Sequence, residues 1–146
     1  MRTIIVGQAP GPRTDSREPL SGQSGRRLAA LCGMELDEFL AAFERVNLIR
    51  RWPGEANGKG DAFPMARARR AAVLRAGAFP GARVVLLGRQ VAHAFDVYGM
   101  KILEWHSTPA FTFALCPHPS GVCQWWNEPA NVRRARKFWR EAARRL

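Results

Sequence analysis

Short runs of branched and apolar residues recur along this chain with helix-like segments between them, and that alternation restricts the possible folds more than any other feature. Thr3-Ile4-Ile5-Val6, Val46-Asn47-Leu48-Ile49, Arg83-Val84-Val85-Leu86-Leu87 and Phe111-Thr112-Phe113-Ala114-Leu115 each read as a strand. Ser21-Gly22-Gln23-Ser24-Gly25 opens a helix running to about Cys32, and residues 35–45 place Leu36, Phe39, Leu40 and Phe43 on one helical face. Residues 65–78 and 90–98 read as two more helices. Residues 129–146 read as the last, with Asn127 as its cap and Pro129 in its first turn. Strands alternating with helices predict an α/β fold, a three-layer α/β/α domain around a four-stranded parallel sheet. The 146 residues suffice for one such domain, which at this size buries roughly 70% of its unfolded surface.

Two of the strands run into proline-containing turns. Gly7-Gln8-Ala9-Pro10-Gly11 follows the first, and His118-Pro119-Ser120-Gly121 follows the fourth. Open parallel sheets hold ligands beyond the carboxyl ends of their strands. The turns after strands one, two and four are therefore expected to gather at one edge and share a pocket. The first turn lacks the Gly-x-Gly-x-x-Gly spacing of dinucleotide binders. Residues 54–59 fail as a phosphate loop, because Lys59 is followed by Gly60 and no strand precedes it. Asn47, an amide within a strand, offers a donor and an acceptor that suit the edge of a pyrimidine, or tie it to a neighbouring loop. His118 reads as a pocket group or as a core histidine bonded to backbone. His93, on a helix, and His106, in a connector between helix and strand, are read in the second way.

The chain carries 23 Lys and Arg against 12 Asp and Glu, a net charge of +11, and nearly all the cations are Arg. A G- and C-rich genome explains Arg in place of Lys but not the excess of positive charge. That excess points to a polyanion, nucleic acid above all. The last helix concentrates it in Arg133, Arg134, Arg136, Lys137, Arg140, Arg144 and Arg145, opposite an apolar stripe of Val132, Ala135, Trp139, Ala142 and Leu146. This face either meets phosphates or is simply solvated. Trp125-Trp126 beside it either stack on bases or close a hydrophobic lid over the helix. Cys32, Cys116 and Cys123 have no paired spacing and read as buried reduced thiols rather than a disulfide framework or metal site. No apolar run approaches the ~18 residues of a membrane helix. Met1-Arg2-Thr3 shows no secretory pattern, so a cytoplasmic protein is expected.

Taken together, Gly7-Gln8-Ala9-Pro10-Gly11, Ser24-Gly25-Arg26-Arg27-Leu28, the strand Asn47, Leu87-Gly88-Arg89 and His118-Pro119-Ser120-Gly121 resemble the uracil-DNA glycosylase superfamily over nearly the whole chain. The resemblance implies a monomer that flips uracil or a related deaminated base out of DNA and hydrolyses its N-glycosidic bond without metal or other cofactor. It makes Gln8 and Ala9 part of the turn that surrounds the base and places the attacking water. Asn47 would read the uracil edge, and His118 would stabilise negative charge on uracil O2. Leu20 stands where many relatives stack an aromatic on the base. The segment after His118, here Ser120, Gly121, Val122, Trp125 and Trp126, would probe the minor groove and fill the gap left by the base. Ser24, Arg133 and Arg136 would complete the DNA contacts.

The chain departs from the family pattern in several places. Relatives often carry a carboxylate or Asn where this chain has Gln8 and Ala9. Asp15, with Glu18 one of the carboxylates in the following loop, is the substitute candidate. The iron–sulfur branch uses four cysteines, whereas this chain has three, and Arg50-Arg51-Trp52-Pro53 stands where one ligand would fall, so no cluster is expected. The chain begins at the first strand, so the amino-terminal helices of larger relatives are expected to be missing. A non-catalytic nucleic-acid-binding relative and an enzyme of free nucleosides or nucleotides are the alternative readings.

Overall fold

The computed structural model describes residues 2–58 and 60–146, with Met1 and Lys59 outside the described residues. Along the chain come β1 (Arg2–Gly7), α1 (Gln23–Cys32), α2 (Leu36–Ala42), β2 (Glu44–Asn47), α3 (Met65–Ala76), β3 (Ala82–Leu87), α4 (Arg89–Ala94), β4 (Trp105–Ser107), β5 (Thr112–Cys116) and α5 (Pro129–Arg144). The protein is mixed α/β, and its sheet has the order β2-β1-β3-β5-β4. β1 pairs in parallel with β2 and β3, and β3 with β5, while β4 runs antiparallel to β5.

The expected sheet of four parallel strands is thus corrected to five strands, one of them antiparallel. The additional strand is the segment read as a connector around His106. Three residues are too few for a hydrophobic period. This strand forms because β5 offers an open edge, which Trp105, His106 and Ser107 pair against Ala114, Phe113 and Thr112. β2 also begins earlier than its apolar pattern suggests. Its register with β1 runs from Ile4↔Glu44 to Gly7↔Asn47, which ends α2 at Ala42 rather than at residue 45. Leu48 and Ile49 continue as a bonded loop, their amides donating to the carbonyls of Gly7 (3.1 Å) and Gln8 (3.0 Å). α4 stops at Ala94, short of the predicted Tyr98. Asn127 is not the cap of α5: Glu128 holds that position without a side-chain cap bond, and Asn127 closes a 3-10 turn over Gln124–Asn127.

Alternation along the strands divides the core between the two faces of the sheet. Ile5, Val85, Leu87, Ala114 and Cys116 share one cluster with Leu28 of α1, Phe39 of α2 and Phe138 and Trp139 of α5. Ile4, Val6, Val84, Leu86 and Phe113 share the other with Ala68 and Ala72 of α3 and Val91 and Ala94 of α4. β3 is buried along its whole length, as a strand flanked on both edges and both faces must be. Among the described residues, no helix is long and apolar enough to cross a membrane.

Candidate active site at the carboxyl edge of the sheet

A cavity of about 630 Å³ opens beyond the carboxyl ends of β1, β2 and β5. Gly7, Gln8, Ala9, Pro10 and Gly11 all line it, together with Leu20, Ser24, Asn47, Asp61, Leu87, His118, Ser120 and Val122. Asp61 is the one carboxylate among its described lining residues, and no Arg or Lys is among them. Its other described polar side chains are the amides of Gln8, Gln23 and Asn47, the hydroxyls of Thr14, Ser24 and Ser120, the His118 imidazole and the Cys123 thiol.

Close approaches of backbone explain how the wall is built. Gly7 faces Asn47 across the β1–β2 ladder, and a Cβ on Gly7 would stand 2.5 Å from Asn47 Oδ1. The Asn47 amide can lie over the first turn only because that position is glycine. Leu20 adopts a left-handed conformation with φ 62. For a branched-chain residue that conformation costs on the order of 1–3 kcal/mol, an expense characteristic of functional sites. The surroundings hold it: Arg45 donates to the Pro19 carbonyl, and the Leu20 carbonyl lies so close to Gly25 that any side chain there would collide with it.

His118 is held from three sides. Its ring lies against Gly88, where a Cβ would stand 3.2 Å from His118 Cβ and 3.3 Å from Cδ2. Gly88 has φ 92, a backbone conformation that favours glycine in any case. The Ser120 backbone N–H donates to His118 Nδ1 at 3.2 Å. This bond assigns the lone pair to Nδ1 and the proton of the neutral ring to Nε2. Burial pushes the His118 pKa below its ordinary 6.5, and the negative charge of Asp61 opposes that shift. The loop itself is fastened by Trp126 Nε1, which donates to the His118 carbonyl at 2.8 Å, and by Arg27, which donates to the Ser120 carbonyl at 3.2 Å. The Arg27 guanidinium also lies over the Trp126 ring, 5.1 Å from its centroid. At neutral pH His118 is consequently an uncharged, oriented hydrogen-bond donor on the cavity wall.

Other residues singled out in the sequence lie elsewhere. Asp15 does not line the cavity. Its carboxylate accepts from the Arg17 amide at 2.9 Å and from Arg17 Nε at 3.3 Å, and these bonds hold its pKa below the usual carboxylate value. The carboxylate that does reach the cavity, Asp61, comes from the loop 51–64. It is placed there by an isolated bridge with Glu55 and by Trp52 Nε1, which donates to Asp61 Oδ1 at 3.0 Å. That loop shows no periodicity, so only its polar, glycine-rich composition marked it. Trp126 is 6% exposed and belongs to the α5 side of the core, with Trp125 packed edge-on against it at 4.7 Å. Neither ring lines the cavity, nor does Gly121, while Val122 stands 89% exposed at its rim. Arg133 and Arg136 lie with Lys137 and Arg140 in a shallow groove of about 390 Å³ on α5, separate from the cavity. His93 stacks on Tyr98, and His106 Nε2 is 2.9 Å from the Lys101 carbonyl. Cys32 and Cys116 are buried, their thiols pushed up to about 12 by desolvation, and Cys123 is partly buried beside the cavity.

A scan against protein-family models found no match to this chain, and a search of curated proteins found none either.

Proposed function

We propose that this protein is a DNA glycosylase of the uracil-DNA glycosylase type, a cytoplasmic three-layer α/β/α enzyme that removes uracil or a related deaminated base. The observation that carries the reading is His118: a neutral imidazole with Nδ1 satisfied by Ser120 N–H, leaving Nε2–H as its donor on the cavity wall. Breaking an N-glycosidic bond sends its electron pair into the base, and the charge collects on the ring carbonyl oxygens. A fixed donor aimed at such an oxygen stabilises the transition state more than the ground state. In this scheme Asn47 supplies the donor and acceptor that read the edge of the flipped base, while Gln8, Ala9 and Leu20 enclose it.

The attacking water then needs a partner, because its oxygen bonds to the sugar C1′ and its proton must leave. Asp61 takes that role in place of Asp15. It is the carboxylate within the cavity, and the Trp52 indole fixes one of its oxygens. Its negative charge also favours the cationic sugar that forms as the base departs.

The test is incubation with a labelled oligonucleotide carrying one uracil, single-stranded and opposite guanine, followed by alkaline cleavage of abasic sites. Scission that His118→Ala removes is the expected result. DNA binding without scission at high enzyme excess would instead mean a different lesion or a non-catalytic binding protein, and base release from monomer alone a nucleoside hydrolase.

A further inference from the structure

A second depression, of about 1000 Å³, lies between the loop at Ser16–Pro19, the end of β2 and α3. Seven arginines line it and no acidic residue does. Two of the seven are neutralised locally: Arg17 by Asp15 at 3.3 Å, and Arg45 by Glu18 at 3.6 Å together with the carbonyl of Leu40. Among the described residues, Arg50, Arg51, Arg67, Arg70 and Arg75 form no ion pair. Their neighbour Arg69, directed elsewhere on the same helix, pairs with Asp96 at 3.0 Å and bonds the Tyr98 hydroxyl. The cations of α3 that face the groove thus lack the acidic partner that the outward one has.

We propose that this groove is a phosphate track for single-stranded nucleic acid, leading into the cavity at the sheet edge. Unpaired like charges gathered in one concavity repel one another and concentrate anions. Guanidinium forks match phosphate oxygens two at a time. The groove also has an apolar wall at Ala71 and at Leu74, which is 81% exposed, suited to the sugars and unpaired bases of a single strand. Asn47 lines both the groove and the cavity, so the two spaces share a wall. The bonds from Leu48 and Ile49 to Gly7 and Gln8 tie the groove floor to the cavity's first turn. A strand whose phosphates follow the arginines would be delivered to the cavity at Asn47.

Binding of a labelled oligothymidine, measured by fluorescence anisotropy over a series of salt concentrations, tests the track. This oligomer carries no uracil, so the outcome is independent of whether the cavity removes a base. Arg67→Glu with Arg70→Glu is expected to weaken binding at least about tenfold at low salt and to reduce the salt slope by about 1.4, at ~0.7 per lost contact. Arg50→Glu with Arg51→Glu, on a different element, is expected to repeat that loss, and circular dichroism checks that both variants fold. Affinities of both variants within twofold of the unaltered protein would overturn the proposal. So would preferential binding of anionic phospholipid vesicles over the oligomer.

Discussion

The turn that closes β1 and the segment from His118 into α5 follow two strands of one sheet, yet they are used differently. All five residues of the first, Gly7 to Gly11, line the cavity. In the second, the lining stops at Cys123, before the 3-10 turn that leads into α5. His118, Pro119 and Ser120 face the cavity, whereas Trp126 turns into the core and bonds back to the His118 carbonyl. In this segment the residues next to the strand line the cavity, and those that follow hold them in place. On the proposed function His118 acts and Trp126 positions it, and the cations further along α5 lie apart from the cavity.

The largest effect should fall on His118. His118→Ala removes the donor without opening the core, and is expected to lower the single-turnover rate of uracil release by about 10²–10³. DNA affinity and thermal stability should change little. A rate loss below threefold would take His118 out of the chemistry and erase the distinction between the two halves of its segment.

Trp126 sharpens the same comparison, because its effect should appear in stability first. Trp126→Ala empties a core position and is expected to cost about 3–5 kcal/mol in denaturant unfolding. Trp126→Phe keeps most of the packing and loses the 2.8 Å bond to the His118 carbonyl, a loss of about 1 kcal/mol. Its activity should fall further than that small destabilisation explains, since the loop carrying His118 is loosened. Equal activity in the Phe variant and the unaltered protein would reduce Trp126 to packing alone.

A pH profile separates the ring of His118 from its surroundings. The folded pKa lies below 6.5, chiefly through burial. The ring is thus neutral at pH 7, and the stability this contributes is present above 6.5 and lost as pH falls through the folded value. Protonation also places an N–H at Nδ1 against the Ser120 N–H, two donors facing each other. Activity should decline on the acid side with a midpoint below 6.5. Asp61→Asn, which removes the charge opposing that shift, should move the His118 titration, followed by NMR of its ring rather than by activity, lower still. A midpoint at or above 6.5 would contradict the burial that lowers the His118 pKa.

These contrasts also explain what the sequence could reveal. Gly7, Gly88 and His118 were legible because each follows a branched or apolar run that stops at a glycine or a proline-containing turn. Asn47 was legible as an amide within an apolar strand and Leu20 through the resemblance, and both line the cavity. Trp125-Trp126 were ambiguous, since an aromatic pair satisfies a lid or a base platform equally until its neighbours are known. Asp61 was not legible. It reaches the cavity through one bridge and one indole bond in an aperiodic loop, and both depend on contacts formed only in the folded chain. β4 was hidden for a similar reason, because its pairing is dictated by the edge of β5 rather than by its own three residues.

The smallest effect is expected where the segment ends, on α5. Its cations stood out in the sequence, but Arg133 and Arg136 line a shallow groove apart from the cavity, with Glu141 among them. Charges on an exposed helix face act on a bound strand mainly through a field that salt screens over about 10 Å at 0.1 M. Arg133→Glu with Arg136→Glu should therefore weaken oligonucleotide binding less than about threefold, and should leave the single-turnover rate of bound substrate unchanged. The salt slope should also fall by less than the value of about 1.4 that two single-strand phosphate contacts would contribute. A full loss of that slope would make α5 a phosphate-contacting surface and extend the proposed DNA contacts of this segment well beyond the cavity.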